Sequence, residues 1–159
     1  MKTLIVYDSF FGNTEKVAQA IGNSLGSKEN VETLRVSEVK PEQLIGLELL
    51  IVGSPTRVFK PTKAIMGFLN KIPLNVLKGV KLAAFDTRIS TVDVNSRFLN
   101  ILVKLFGYAA KTIAYKLEKK GGSLIIPPEG FLVKDSEGPL KDGELERAVD
   151  WVKLIMKTL

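Results

Sequence analysis

The sequence predicts an α/β fold: one doubly wound, five-stranded parallel sheet in a single domain, residues 1–159. Three observations carry this reading. The opening stretch runs from a short β-prone strand, Thr3–Tyr7, through a polar loop into a helix whose Val17, Ala18, Ile21 and Leu25 form one apolar stripe. Leu47–Val52 and Gly79–Phe85 are nearly continuous apolar runs, the signature of strands buried on both faces. Amphipathic helices separate these runs, and there is no internal repeat, low-complexity tract or linker. Strands that alternate with helices make one parallel sheet covered on both sides, and right-handed crossovers leave only a few topologies.

Each element has its own signal. Asp8-Ser9-Phe10-Phe11-Gly12-Asn13-Thr14 ends the first strand with residues that favour turns and helix caps. After a turn at Gly26–Asn30, Val31–Val36 alternates apolar and polar as an edge strand does. Pro41 opens a short helix in its first turn. The third strand ends in Gly53-Ser54-Pro55-Thr56-Arg57-Val58-Phe59-Lys60, and Pro61 and Thr62 open a helix carrying Ile65, Met66 and Leu69. The fourth strand ends at Asp86-Thr87-Arg88-Ile89-Ser90-Thr91, followed by one long helix from about Asn95 to Lys119. Ser123–Ile126 begins a fifth strand, Pro127-Pro128 interrupts it, and Phe131–Val133 resumes it. Leu145, Ala148, Val149, Val152 and Ile155 give the last helix its buried stripe.

Composition removes whole classes of chemistry. The chain has no cysteine and no histidine, which excludes disulfides, thiolate catalysis and the commonest metal ligands and general base. No metal site and no catalytic side chain is expected, so any redox chemistry must come from a bound organic cofactor. The net charge of +6 is spread without interleaved aromatic residues, which fits a solvated basic surface better than nucleic-acid binding. The start lacks the long apolar segment of a signal peptide and no segment reaches a membrane span, so a cytoplasmic protein is expected.

In a sheet of this kind, ligands sit beyond the carboxyl ends of the strands, where the strand order reverses. Three loops rich in Ser, Thr, Gly and Asn fall there, after strands one, three and four. The first, on a helix N-terminus, suits a phosphate. Asp8 and Asp86 both end strands, as in a phosphorylated receiver domain, but Gly53-Ser54 stands where a third-strand acid would be required.

Together these residues resemble the flavodoxin family, which binds flavin mononucleotide (FMN). The family's phosphate loop, hydroxyl-x-hydroxyl-Gly-x-Thr, stands here as Ser9-Phe10-Phe11-Gly12-Asn13-Thr14. Ser54-Pro55-Thr56 resembles the segment beside one face of the flavin ring, and Thr87–Thr91 the segment beside the other. Glu137–Leu145 also looks like flavodoxin-like proteins, and the resemblance covers the whole chain. It implies strand order 2-1-3-4-5, FMN as cofactor, and electron transfer between redox partner proteins. Ser9, Gly12, Asn13 and Thr14 would hold the phosphate; Ser54, Pro55, Thr56 and Phe59, with Thr87, Arg88 and Ser90, would hold the ring.

The sequence departs from that pattern at several points. Phe11 replaces the second hydroxyl, leaving Ser9, Thr14 and the backbone N–H groups from Gly12 to Glu15 for the phosphate. The third loop lacks the family's outer aromatic, which leaves Phe59 as the nearby stacking candidate. Where flavodoxins are acidic this chain is basic, and Arg57 and Arg88 fall in the two ring loops. A cation there stabilises the anionic reduced flavin and makes the potential less negative. An FMN-dependent NAD(P)H reductase and a flavin-free partner-binding module are the alternatives to a carrier. On the long helix, Leu99, Leu102, Phe106, Ala109, Ile113 and Leu117 form one apolar stripe. Phe98, Ile101, Leu105, Tyr108 and Tyr115 form a second beside it, which predicts a homodimer or partner contact around Phe98–Tyr115.

Overall fold

The computed structural model describes residues 1–26, 30–90 and 96–159. Among them, six strand segments, β1 (Thr3–Tyr7), β2 (Val31–Arg35), β3 (Leu49–Pro55), β4 (Lys81–Ile89), β5 (Ser123–Leu124) and β6 (Glu129–Val133), form one sheet. Every pairing is parallel, in the order β2-β1-β3-β4-β5, with β6 also on β4. This is the 2-1-3-4-5 order expected. The fifth strand is in two pieces: β5 pairs with Lys81 and Leu82, and β6 with Phe85–Ile89. Pro127 and Pro128, which have no N–H for the ladder, separate them.

Among the described residues there are five α-helices, α1 (Asn13–Leu25), α2 (Lys63–Lys71), α3 (Arg97–Phe106), α4 (Ala109–Glu118) and α5 (Glu144–Thr158), of which α1, α2, α4 and α5 pack on the sheet. Side-chain alternation along the strands splits the core into two layers. Leu50, Val52, Leu82 and Ala84 face α2 and α4, meeting Ile65, Leu69, Ile113 and Leu117. Ile5, Ile51, Ala83 and Phe85 face α1 and α5, meeting Val17, Ile21, Ala148 and Trp151. In that second layer Phe85, Phe131 and Trp151 pack edge to face, with ring centroids 6.0–6.2 Å apart.

Three expectations are corrected. The single helix from Asn95 to Lys119 is two helices, broken at Gly107-Tyr108, where Gly107 takes φ +71° and turns the chain (Asn95 itself lies outside the described residues). The fourth strand runs on to Ile89, because β6 supplies ladder partners for Asp86, Thr87 and Arg88. On α5, Leu145 is exposed and Val149 half-buried, whereas Trp151 is buried; the inward stripe is Ala148, Trp151, Val152 and Ile155. Of the turn at Gly26–Asn30, residues 27–29 lie outside the description, as does Thr91 in the third loop.

Candidate functional site

The chain passes from β1 to β2 on one side and then from β3 to β4 on the other, so the strand order reverses between β1 and β3. At the carboxyl ends of these strands lies an open cleft of about 230 Å³. Ser9, Phe10, Phe11, Asn13 and Thr14 line it after β1; Pro55, Thr56, Arg57 and Val58 at the end of β3; Thr87, Arg88 and Ile89 on β4. Val133 and Ser136, from β6 and the loop beyond it, close the rim.

The first loop is built around Gly12, whose φ of +82° starts α1. Its N–H donates to Ser9 Oγ at 3.0 Å, and its carbonyl accepts the first intrahelical bond, from Lys16 N–H at 3.0 Å. The N–H groups of Asn13, Thr14 and Glu15 therefore have no acceptor inside the helix. A Cβ placed on Gly12 would meet nothing within 4 Å, so open space lies over this turn. Free N–H groups, the positive end of the helix dipole and the hydroxyls of Ser9 and Thr14 together form a seat for an anion.

Neither Asn13 nor Thr14 caps the helix. Asn13 Nδ2 donates to the carbonyl of Glu137 at 2.9 Å, which pins the loop after β6 against the first loop. The Thr14 and Thr87 hydroxyls share one hydrogen bond of 2.8 Å, tying the first loop to β4 and leaving one hydroxyl proton of the pair for another acceptor. Beneath the loop, Arg35 at the end of β2 donates to Ser9 C=O at 3.0 Å and lies 3.6 Å from Asp8 and 3.5 Å from Glu15. Burial, then the hydrogen bond with Glu15, pushes the neighbouring Tyr7 phenol above its ordinary value.

The second loop is a tight turn. Arg57 and Lys60 exchange backbone hydrogen bonds of 2.9 and 3.0 Å. Val58 and Phe59 between them both take positive φ, 46° and 64°, a conformation that costs bulky residues about 1–2 kcal/mol each. The exposed Arg57 guanidinium stands over the rings of Phe10 and Phe11, 5.4 and 6.0 Å from their centroids. Ser54 is fully buried: its hydroxyl accepts from Thr62 N–H at 3.0 Å and donates to Pro55 C=O, anchoring the start of α2. Thr56 Oγ1 accepts from Ala109 N–H at 3.1 Å and so holds the first turn of α4 at the lip of the cleft.

On β4 the two charges lie two residues apart and hence on one side of the strand. Arg88 meets Asp86 through Nε at 2.5 Å and Nη2 at 2.8 Å, and Ala110 N–H donates to the same carboxylate at 2.8 Å. Asp86 has no exposed surface; burial raises its pKa, and the Arg88 charge pulls it back. The guanidinium carbon lies 3.7 Å from the Tyr108 ring centroid, and the guanidinium fills the space where Gly130 would carry a Cβ. Arg88 is therefore a locked, charge-matched group.

Of the residues expected at the site, Ser9, Phe10, Phe11, Asn13, Thr14, Pro55, Thr56, Arg57, Thr87 and Arg88 share the cleft, and Gly12 starts α1 between the lining residues Phe11 and Asn13. Three lie elsewhere. Ser54 is committed to the α2 anchor. Phe59 lines a separate apolar groove with Pro61, Met66 and Thr112, because the turn at Val58-Phe59 carries it to the outer side. Ser90 lies past the end of β4 and off the cleft lining. Val58, Ile89, Val133 and Ser136 also line the cleft without having been expected there, the last two because β6 pairs with β4 far along the chain. Asp86 had a local signal, its opposite charge two residues from Arg88.

A wholly parallel 2-1-3-4-5 sheet with a helix-start anion seat at its switch point defines a doubly wound, mononucleotide-type α/β protein. The flavodoxin family model matches residues 5–151, and the chain belongs to the flavodoxin family. Among solved structures it is similar to a flavodoxin from the domain Archaea, at 26% identity over 99% of both chains and a TM-score of 0.76. It shares its fold with oxidised Flavodoxin 2 from Bacillus cereus, at 20% identity over 100% of both chains and a TM-score of 0.77. It also shares it with 35% of the rubredoxin oxygen:oxidoreductase from Desulfovibrio gigas, at 21% identity over 98% of this chain and a TM-score of 0.71. A search of curated proteins finds no match.

Proposed function

We propose that the chain binds one FMN in this cleft and carries electrons between larger redox proteins of the cytoplasm. The observation that carries the reading is the anion seat at Gly12–Glu15, opening into a cleft walled by the ends of β3 and β4. The donor set suits a phosphate monoester. The N–H groups of Asn13, Thr14 and Glu15 and the hydroxyls of Ser9 and Thr14 would hold it, Thr87 fixing the orientation of Thr14. Pro55, Thr56 and Ile89 would border the ring. When bound, FMN supplies reversible electron transfer at neutral pH. The protein's share is to orient it, limit water around it and set the local charge.

Arg57 is the residue for that last task. It is exposed at the cleft and, among the described residues, has no carboxylate partner, whereas the Arg88 charge is matched by Asp86. A cation beside the ring favours the more negatively charged redox state, so this carrier works at a less negative potential than acidic flavodoxins.

The test is an FMN titration of the purified chain, with visible spectra after excess flavin is removed, followed by anaerobic NADPH. One equivalent retained, and no bleaching by NADPH alone, is the expected result. Failure to retain FMN overturns the cofactor reading. Direct bleaching by NADPH overturns the carrier in favour of a reductase.

A further inference from the structure

Charge is divided unevenly along this chain. From Leu49 to Leu117, eleven basic side chains stand against two acidic ones, Asp86 and Asp93, while the other residues hold twelve basic and fifteen acidic. This span builds β3, β4, α2, α3 and α4 up to Leu117, Glu118 closing that helix, and of its two acids Asp86 is buried and bound to Arg88. The stretch that contains α3 is therefore basic, although acids lie near it on the same side of the sheet, Glu118 at the end of α4 and Glu38 beside α2.

Helix α3 lies within this span and has no acidic residue. Phe98 and Ile101, one turn apart, are 72% and 55% exposed, between the exposed Arg97 and Lys104. Gly107 and Tyr108 join α3 to α4, whose first N–H is held by Thr56 at the cleft. The exposed Lys111 side chain lies beside Gly107 at this corner.

The charge says what covers this ridge. A second copy would bring one basic face against another, which costs energy at low ionic strength. A stable protein interface takes about 800 Å² from each partner, whereas α3 offers two exposed apolar side chains, Phe98 and Ile101, among the described residues. An anionic bilayer needs only apolar side chains at interfacial depth with basic ones beside them. We propose that α3 docks this protein on an anionic membrane surface. Phe98 and Ile101 enter the boundary between headgroups and acyl chains, and Arg97, Lys104 and Lys111 face the lipid phosphates. The docking is peripheral, since among the described residues no helix is long and apolar enough to cross a membrane. It holds whatever occupies the cleft.

The experiment is flotation of the full chain with vesicles of phosphatidylcholine alone, or with about 30% phosphatidylglycerol added to mimic an anionic leaflet. Binding is expected only to the anionic vesicles, weakening as salt shortens the Debye length. The pair Phe98→Ser and Ile101→Ser should lower partitioning about tenfold or more. Because both side chains are exposed, the thermal unfolding of that variant should match the parent. The pair Arg97→Gln and Lys104→Gln should lower partitioning roughly twenty-fivefold, about fivefold for each charge. Absence of binding to anionic vesicles overturns the proposal. So does binding indifferent to Phe98 and Ile101, which is charge attraction that soluble polyglutamate would reproduce. A solution dimer dissolved by Phe98→Ser and Ile101→Ser, without vesicle binding, gives the ridge to a second copy and overturns it too.

Discussion

Replacing Gly130 with alanine probes how firmly the cleft holds its buried charges. Gly130 lies directly opposite Asp86 in the β4–β6 ladder. A Cβ there would sit 2.2 Å from Arg88 Cζ and 2.3 Å from Nε, so the guanidinium must leave its place. In leaving, it gives up the 2.5 and 2.8 Å contacts to Asp86 and the Tyr108 ring. Asp86 keeps the Ala110 N–H, at 2.8 Å, and the Thr56 side-chain hydrogen bond, neither of which brings a charge. Removing one partner from a buried ion pair costs about 3–5 kcal/mol; here Arg88 can swing into water and recover hydration, which brings the cost to about 3 kcal/mol. At about 2–4 °C per kcal/mol for a chain of this length, Tm should fall by about 6–12 °C.

The pH dependence gives the sharper signature. Burial already holds the Asp86 pKa above its ordinary value, with Arg88 opposing it, so displacing Arg88 lets it rise further. A carboxyl with a raised folded pKa keeps its proton in the native state while the unfolded chain has released it. Stability then falls as pH climbs from the ordinary carboxylate range through the folded pKa. The deficit of Gly130→Ala should accordingly be larger at about pH 8 than at about pH 5. Thermal melts followed by circular dichroism at both pH values read this directly. Adding Gly130→Ala to Arg88→Ala should cost almost nothing more, since the clash is gone. Melting within about 2 °C of the parent at both pH values, or a pH-independent deficit, refutes the argument.

Two further outcomes follow from the second loop. Val58 is 86% exposed at φ 46°, so Val58→Asn relieves left-handed strain without loss of packing and should raise Tm by about 2–4 °C, for roughly 1 kcal/mol. In the FMN-loaded protein, Arg57→Gln should lower the midpoint potential by no more than about 59 mV, a tenfold change in a one-electron equilibrium. High salt should shrink that difference, because the guanidinium is exposed.

The frame of this fold was readable because burial writes directly into hydropathy. Leu49–Val52 is buried on both faces and is apolar throughout; Val31–Arg35 lies at the edge and alternates. The Pro127-Pro128 break was readable because proline cannot join a ladder. What the side chains of the loops do was harder to read. Asn13 and Ser54 are the residue types that hold ligands, and the same types also tie loops together. Asn13 spends its amide on Glu137, 124 positions away, a partner no local window contains. Ser54 spends its hydroxyl on the start of α2.

The misplaced end of β4 has a physical cause worth following to its consequence. Hydropathy stops at Phe85, so Asp86-Thr87-Arg88 reads as loop, and Arg88 then reads as a cation free to act on a ligand. In the ladder the same three residues are strand, and residues two apart share a side. Opposite charges at that spacing satisfy each other, which lets a strand carry them into the interior where either one alone would be prohibitive. Pairing thus extends the strand, removes Arg88 from the set of free cations, and leaves Arg57, on a strained turn, as the exposed cation in the cleft lining among the described residues. The third strand makes the complementary point: Gly53-Ser54-Pro55 also reads as loop and is also strand, because β4 runs beside it through Thr87. Both strands outrun their hydropathy at the cleft, where a sheet must expose polar groups to bind anything while its neighbours still complete its hydrogen bonds.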